Sequence, residues 1–284
     1  MNMKSANILS IDVEEWRHAN YLSTEILKTT SFESRLRANM EVLLKTLADH
    51  QARATFFFLG MVAEQYPDLV METRRMGHEI ASHGYGHQRV DQLSRDEFTQ
   101  DVRKSLDILQ DISGEQIKGY RAPVWSITKA TPWAYEVLAG LGLVYDSSLF
   151  PFTTYMYGDS QAPVAPFVQD INGQKFYEIP ATVLQWGQLR VPFGGGFYFR
   201  AMPLWATRLA AYITNRQGRV VVFYLHPREI DPDHPRMELP PRVYFVSYFN
   251  LEPTLRKLKR LLEITSTISI SQFLTSRAGE ALKK

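Results

Sequence analysis

The sequence predicts an α/β fold in which about seven strand–helix units close into one distorted (β/α)7-type barrel with a loop- and hairpin-rich insertion. Three observations carry this. Short apolar runs alternate with longer amphipathic segments from residue 7 to residue 274. The 284-residue length suits one large α/β domain, and no repeat or low-complexity linker divides it. Ionisable residues stand where several apolar runs end, which is where a barrel gathers its active-site groups.

The elements follow in order. "NILSIDV" (7–13) reads as a buried strand, and 32–50 as a helix with Leu36, Met40, Leu43, Leu44 and Leu47 on one stripe. "ATFFFLG" (54–60) is a strand. "PDLVMETRRMG" (67–77) is a helix, with Pro67 near its start and Gly77 at its end. "HEIASHG" (78–84) is a strand, and 94–114 a helix opened by a Ser94–Glu97 capping box. "IKGYRAP" (117–123) and "LVYDSS" (143–148) are strands on either side of a helix at 131–142. "RVVVFYLHP" (219–227) is the clearest buried strand, 252–264 a basic amphipathic helix, and "TISISQFL" (267–274) a last strand. Residues 150–200, rich in Pro, Gly and aromatics, break the rhythm and read as loops and hairpins covering one face. The expectation is one domain over 1–284, with 228–284 as its C-terminal part.

Composition narrows the chemistry. With no cysteine there is no disulfide, thiolate metal site or cysteine nucleophile, so any metal falls to His and carboxylate. A net charge of +2 from 32 basic and 30 acidic residues gives no electrostatic case for nucleic acid. Residues 1–16 lack the apolar run of a signal peptide, and no stretch reaches the roughly 20 apolar residues of a membrane span. The expectation is a soluble cytoplasmic protein without an integral membrane segment. The basic stretch 255–263 allows peripheral membrane contact as one reading and a solvated helix face as another. Homo-oligomerisation is left open.

The positions of the polar residues carry more. Asp12 closes the first strand, His83 the third, Arg121 the fourth, Asp146 the fifth and His226 the seventh. Asp12 and Glu14 are two apart, so both can face the same side. "HGYGH" (83–87) has glycines that exclude a helical histidine pair; alone it reads equally as a turn or as a loop metal site. The D-x-E upstream favours metal. Two imidazoles and a carboxylate form a common Zn²⁺ set with a position left for water. A second carboxylate can take the water proton, and a histidine across the site can protonate a leaving amine. Asp12, Glu14, His83, His87 and His226 supply these parts.

The ordered blocks "SIDVEEW", "TFFFLG", "HEIASHGYGH", "GYRAPVWSI", "YDSSLFP" and "FYLHPREIDPDHPR" resemble the polysaccharide deacetylase superfamily, carbohydrate esterase family 4. "VPFGGGFYFR" and "HPREIDPDHPR" further resemble the branch found in bacterial exopolysaccharide gene clusters with exosortase-type systems. The resemblance implies metal-dependent hydrolysis of the N-acetyl group of an amino sugar in a poly- or oligosaccharide, including a lipid-linked precursor. It implies Asp12 as base and Glu14, His83 and His87 as ligands of one divalent metal, Zn²⁺ first, with Co²⁺, Ni²⁺ or Mn²⁺ as substitutes. Arg121 would orient Asp12, Asp146 would tune the histidine, and His226 would be the acid. Trp125 and Leu225 would shape an acetyl pocket, with Tyr120 and Pro123 beside the substrate. A backbone N–H after Ser148 would share the oxyanion.

Where many relatives have adjacent aspartates, this chain has D-x-E-E, which makes Glu15 an alternative ligand, though on a continuing strand it faces the other way. A cyclic-amide amidase, resembling a cofactor-free allantoinase, and an inactive carbohydrate-binding relative are the competing functions. "VPFGGGFYFR" lacks the Lys-Ser/Thr of a phosphate loop and reads as a glycine loop against a sugar or a tight hairpin. Trp16, Trp125, Trp186, Phe193, Phe197 and Tyr198 are candidates to stack on sugars. His18, His50, His78 and His234 read as structural or exposed.

Overall fold

Period-two burial on the first strand sets the geometry of the site. The computed structural model describes residues 3–18 and 33–276, with Gly279 and Leu282 beyond them. β1 (Met3–Val13) sends Leu9, Ile11 and Val13 into the core shared with the helices and Ile8 into the interior of a curled sheet. Ser10 and Asp12 follow Ile8 by alternation and face that interior. β2 (Thr55–Phe58) repeats the pattern, with Phe56 and Phe58 towards the helices and Phe57 inside. All four of its residues are buried, as a parallel strand covered on both faces requires.

β3 (Glu79–Ser82), β4 (Gly119–Tyr120) and β5 (Tyr145–Asp146) continue in parallel. β6 (Phe167–Ile171) and β7 (Gln174–Glu178) form an antiparallel hairpin turned by Asn172 and Gly173, both at positive φ, the pair that a two-residue hairpin turn favours. β8 (Val183–Trp186) and β9 (Leu189–Pro192) make a separate hairpin. β10 (Val222–Leu225) pairs with β1, and β11 (Thr265–Ile268) pairs with its first part. The order is β10–β1–β2–β3–β4–β5–β7–β6, parallel except for β6. The end strands β10 and β6 do not pair with each other, so the α/β barrel expected from the sequence is curled and left open.

The helices keep their sequence-predicted faces. The Leu36–Asp49 helix buries Leu36, Met40, Leu43, Leu44 and Leu47; Phe32, the first residue of the expected segment, lies outside the described residues. Arg95–Ser113 begins at a reciprocal Ser94–Glu97 capping box and ends at Gly114 in the left-handed region. No helix among the described residues is long and apolar enough to cross a membrane.

Helices at Gly60–Gln65, Leu204–Arg216 and Pro241–Tyr248 add to the elements read from the sequence, and two of those elements differ from that reading. The last strand stops at Ile268, because Ser269 and Gln272 form a capping box that starts the Ile270–Thr275 helix. β-branched alternation in "TISIS" concealed that S-x-x-Q signal. Within 150–200, β7 joins the main sheet beside β5, so this segment supplies a strand of the sheet as well as loops.

Of the three glycines of "VPFGGGFYFR", Gly194 and Gly195 lie against β10, and Gly196 lines the cavity. Tyr224 N–H donates to the Gly194 carbonyl, and Gly195 bridges Tyr224 in parallel, docking the loop on β10. A Cβ on Gly195 would lie 2.2 Å from the Tyr224 carbonyl oxygen and 2.3 Å from its ring. Gly195→Ala is therefore expected to destabilise by about 1–3 kcal/mol through overpacking, measured as a lower urea midpoint with unchanged slope. An unchanged midpoint would refute the docking.

Candidate active site

Alternation brings Asp12 to the interior near the end of β1, and Glu14 follows two residues later on the same side. His83 is the first residue after β3, and the Gly84 and Gly86 turn lets His87 come back towards it. Tyr85 and Gly86 N–H groups both donate to Asp101, which pins that turn. One ligand-type atom from each of Glu14, His83 and His87 lies within 4.8 Å of the others.

The protonation pattern of this cluster suits a cation. His83 Nδ1 donates to the Arg121 carbonyl oxygen at 2.7 Å, which leaves the Nε2 lone pair free. Burial pulls the His83 pKa down to about 4, so the ring is neutral. Burial pushes Glu14 up, but His87, His226 and His83 around it hold its carboxyl well below the usual range. Glu14 Oε2 is 2.6 Å from His87 Nε2, yet it is buried without an aligned hydrogen-bond donor. A carboxylate oxygen and two imidazole nitrogens gathered in one buried cluster are an arrangement that a shared cation would satisfy. Glu15 faces away, accepting from the Ser34 and Tyr66 hydroxyls, and is not in the cluster.

Asp12 is held from behind. Its Oδ1 accepts from Arg121 at 2.6 Å, and both side chains are almost fully buried. Arg121 also donates to Ser10 Oγ, to the Ser147 carbonyl and to Ser147 Oγ, and it lies 4.2 Å over the Phe57 ring. Asp12 Oδ2 is 3.8 Å from His226 Nε2, and Glu14 Oε1 is 3.3 Å from the same nitrogen. The other imidazole nitrogen, Nδ1, is 3.1 Å from Glu229 Oε2, and Glu229 Oε1 accepts from Arg200 at 2.8 Å. Burial lowers the His226 pKa, but Glu229 and Glu14 outweigh it and the net shift is upward.

Several sequence-predicted roles move. Asp146 does not touch the imidazole. Its oxygens accept from Ser148 Oγ and N–H, and Glu178 shares its other side, so Glu229 is the carboxylate on the histidine. The Ser148 and Leu149 N–H groups are bonded to Asp146 and Glu178, which removes them as oxyanion donors. Leu225 points into the core shared with the helices and Tyr120 packs against Phe98; neither lines the cavity, and nor does buried Pro123. Trp125 does line it. Of the other aromatic candidates, Phe197 and Tyr198 line it, Phe193 is core, Trp16 packs on His234, and Trp186 is exposed on the β8–β9 hairpin.

His18 stacks on His87 with ring centroids 5.8 Å apart, and its Nδ1 accepts the Glu15 N–H. Nothing in its spacing announces this. Glu229 was legible as the third residue after His226 in "HPRE", a capping-box spacing.

Asp146 and Glu178 are neighbours across β5 and β7 and hydrogen-bond each other. Burial pushes Asp146 up to about 6 and Glu178 well above the carboxylate range, so the pair keeps a proton on Glu178 at neutral pH. The folded chain thus holds protons that the unfolded chain releases, and stability falls as pH rises above the ordinary carboxylate values. Glu178→Gln keeps a neutral donor in place and is expected to flatten the loss of urea stability between about pH 5 and 8. An equal loss in variant and parent would contradict the shared proton.

Asp12, Glu14, His83, His87 and His226 face one cavity of about 430 Å³, within the usual size of ligand pockets. Residues 28–144 match the polysaccharide deacetylase family model, and 147–275 match a domain of unknown function, DUF3473. A peptidoglycan-N-acetylglucosamine deacetylase of Bacillus cereus is 34% identical over 95 residues, 33% of this chain and 34% of the relative. A peptidoglycan deacetylase of Helicobacter pylori is 30% identical over 126 residues, 43% of this chain and 42% of the relative. The match thus spans about a third to two fifths of these curated relatives. A Mycobacterium smegmatis protein whose crystal structure was assigned to the polysaccharide deacetylases superposes with a TM-score of 0.64 at 15% identity, covering 99% of this chain and 96% of that one. That likeness carries the fold alone. Residues 28–144 thus resemble the polysaccharide deacetylase family, and the curled parallel sheet has the fold of the Mycobacterium smegmatis structure.

Proposed function

We propose that the chain is a metal-dependent hydrolase that removes N-acetyl groups from N-acetylhexosamine units of a poly- or oligosaccharide. One observation carries the reading: Asp12, the Glu14–His83–His87 cluster and His226 converge on a single cavity at the strand ends. The matched relatives, which are named as peptidoglycan deacetylases, support it. Glu14, His83 and His87 would hold the cation, and an His₂–carboxylate set suits Zn²⁺. When bound, the cation supplies Lewis-acid polarisation and a more acidic water.

The chain's own residues do the rest. Arg121 ties down Asp12 Oδ1 and leaves Oδ2 towards the cavity, where it takes a proton from the attacking water. Glu229 and Arg200 fix His226 with Nδ1 bonded, so that Nε2 faces the cavity and delivers a proton to the departing amine. Trp125 and Val124 give an apolar wall for the acetyl methyl. Acetate and free amine should appear in equal amounts when the protein meets N-acetylated oligosaccharides of graded length. No acetate from any of them, with hydrolysis of a cyclic amide instead, would overturn this reading in favour of an amidase.

A further inference from the structure

The proposed chemistry uses only part of the cavity. The remainder is built by the 152–157 loop, the Gly196–Ala201 helix and the Pro241–Tyr248 helix, and it is mostly aromatic and aliphatic. Its neutral polar groups are the hydroxyls of Thr153, Thr154 and the tyrosines, with no side-chain amide in the described lining. One cation stands out. Arg242 lines this region with its guanidinium 4.2 Å over the Tyr155 ring, and no carboxylate pairs with it among the described residues. Charges deeper in the cavity are matched, Asp12 by Arg121 and Glu229 by Arg200 and His226.

An arginine resting on an aromatic face has its plane fixed while its edge N–H groups stay available. That edge fits a phosphate or a carboxylate through paired charge-assisted hydrogen bonds. We propose that Arg242, held by Tyr155, is a subsite for an anionic group carried by the substrate, so that the cavity selects acidic glycans or glycosyl phosphates over neutral chains. The inference rests on the deacetylase reading for its substrate but not for the anion itself.

The test compares kcat/KM for acetate release from a neutral N-acetylated chitooligosaccharide, a uronic-acid-containing N-acetylated oligosaccharide and N-acetylglucosamine 1-phosphate. Parent, Arg242→Gln and Tyr155→Leu are measured at low and high salt. The parent should prefer one anionic substrate about two- to fivefold, the range of an exposed charged contact. That preference should shrink towards one in Arg242→Gln, shrink partly in Tyr155→Leu, and weaken with salt. Which anionic substrate gains separates carboxylate from phosphate. Equal ratios in parent and Arg242→Gln would overturn the subsite. Binding of glucosamine 1-phosphate and of a uronic acid, followed by NMR without turnover, keeps the two readings apart. If no substrate releases acetate, the deacetylase reading fails, whereas binding that weakens in Arg242→Gln upholds the subsite. Binding indifferent to Arg242, or absent for both anions, overturns it.

Discussion

Asp12→Asn is expected to lower kcat for acetate release by about 10²- to 10⁴-fold, the usual contribution of a positioned general base. The substitution keeps the shape and the Arg121 contact, because Oδ1 remains an acceptor for that guanidinium. It removes only the capacity of the second oxygen to accept a proton. Asp12 lies outside the Glu14–His83–His87 cluster, so metal content should not change. The measurement pairs kcat with metal per chain in the same preparations. A variant that retains parental kcat, or one that loses metal and activity together, would show that Asp12 is not the base.

Arg121→Met is expected to cost about 3–5 kcal/mol, because it leaves Asp12 ionised and buried with its partner gone. For a chain of this size that corresponds to a fall in Tm on the order of 10 °C. The loss is not mainly the strength of the ion pair. It is the cost of an uncompensated charge, together with the Ser147 acceptor and the Ser10 hydroxyl left without their donor. The double variant Asp12→Asn with Arg121→Met should therefore recover part of the stability, since it removes both charges of the pair together. Additive losses in the double-mutant cycle would mean that Asp12 and Arg121 are not energetically coupled.

Much of this arrangement was legible in the residues. Asp12 and Glu14 had to share a face because a strand alternates with period two, and β1 continues in that way to Val13. His83 and His226 fell at strand ends because "EIAS" and "VFYL" are short buried runs with polar residues directly after them. Glu15 faced away for the same reason. The errors have a common source. Asp146 also stands at a strand end, but whether it reaches His226 depends on which strand lies next to β5. That strand is β7, which brings Glu178 alongside, and its place in the sheet could not be read from a segment rich in Pro, Gly and aromatics. Leu225 and Tyr120 sat in the right blocks, but their side chains turn into the core or pack against Phe98. Gly195 looked like a loop glycine, whereas its need for space comes from Tyr224, 29 residues away and visible only after folding.

The central claim is that a cation held by Glu14, His83 and His87 and a proton accepted by Asp12 together hydrolyse an N-acetyl group. The most direct test is acetate release by one preparation, first stripped of metal by a chelator and then reloaded with Zn²⁺. Activity should vanish on stripping and return in proportion to metal bound up to one per chain, and His83→Ala should neither bind the metal tightly nor recover. Undiminished acetate release from the stripped protein would contradict the account, as would full recovery in the His83 variant.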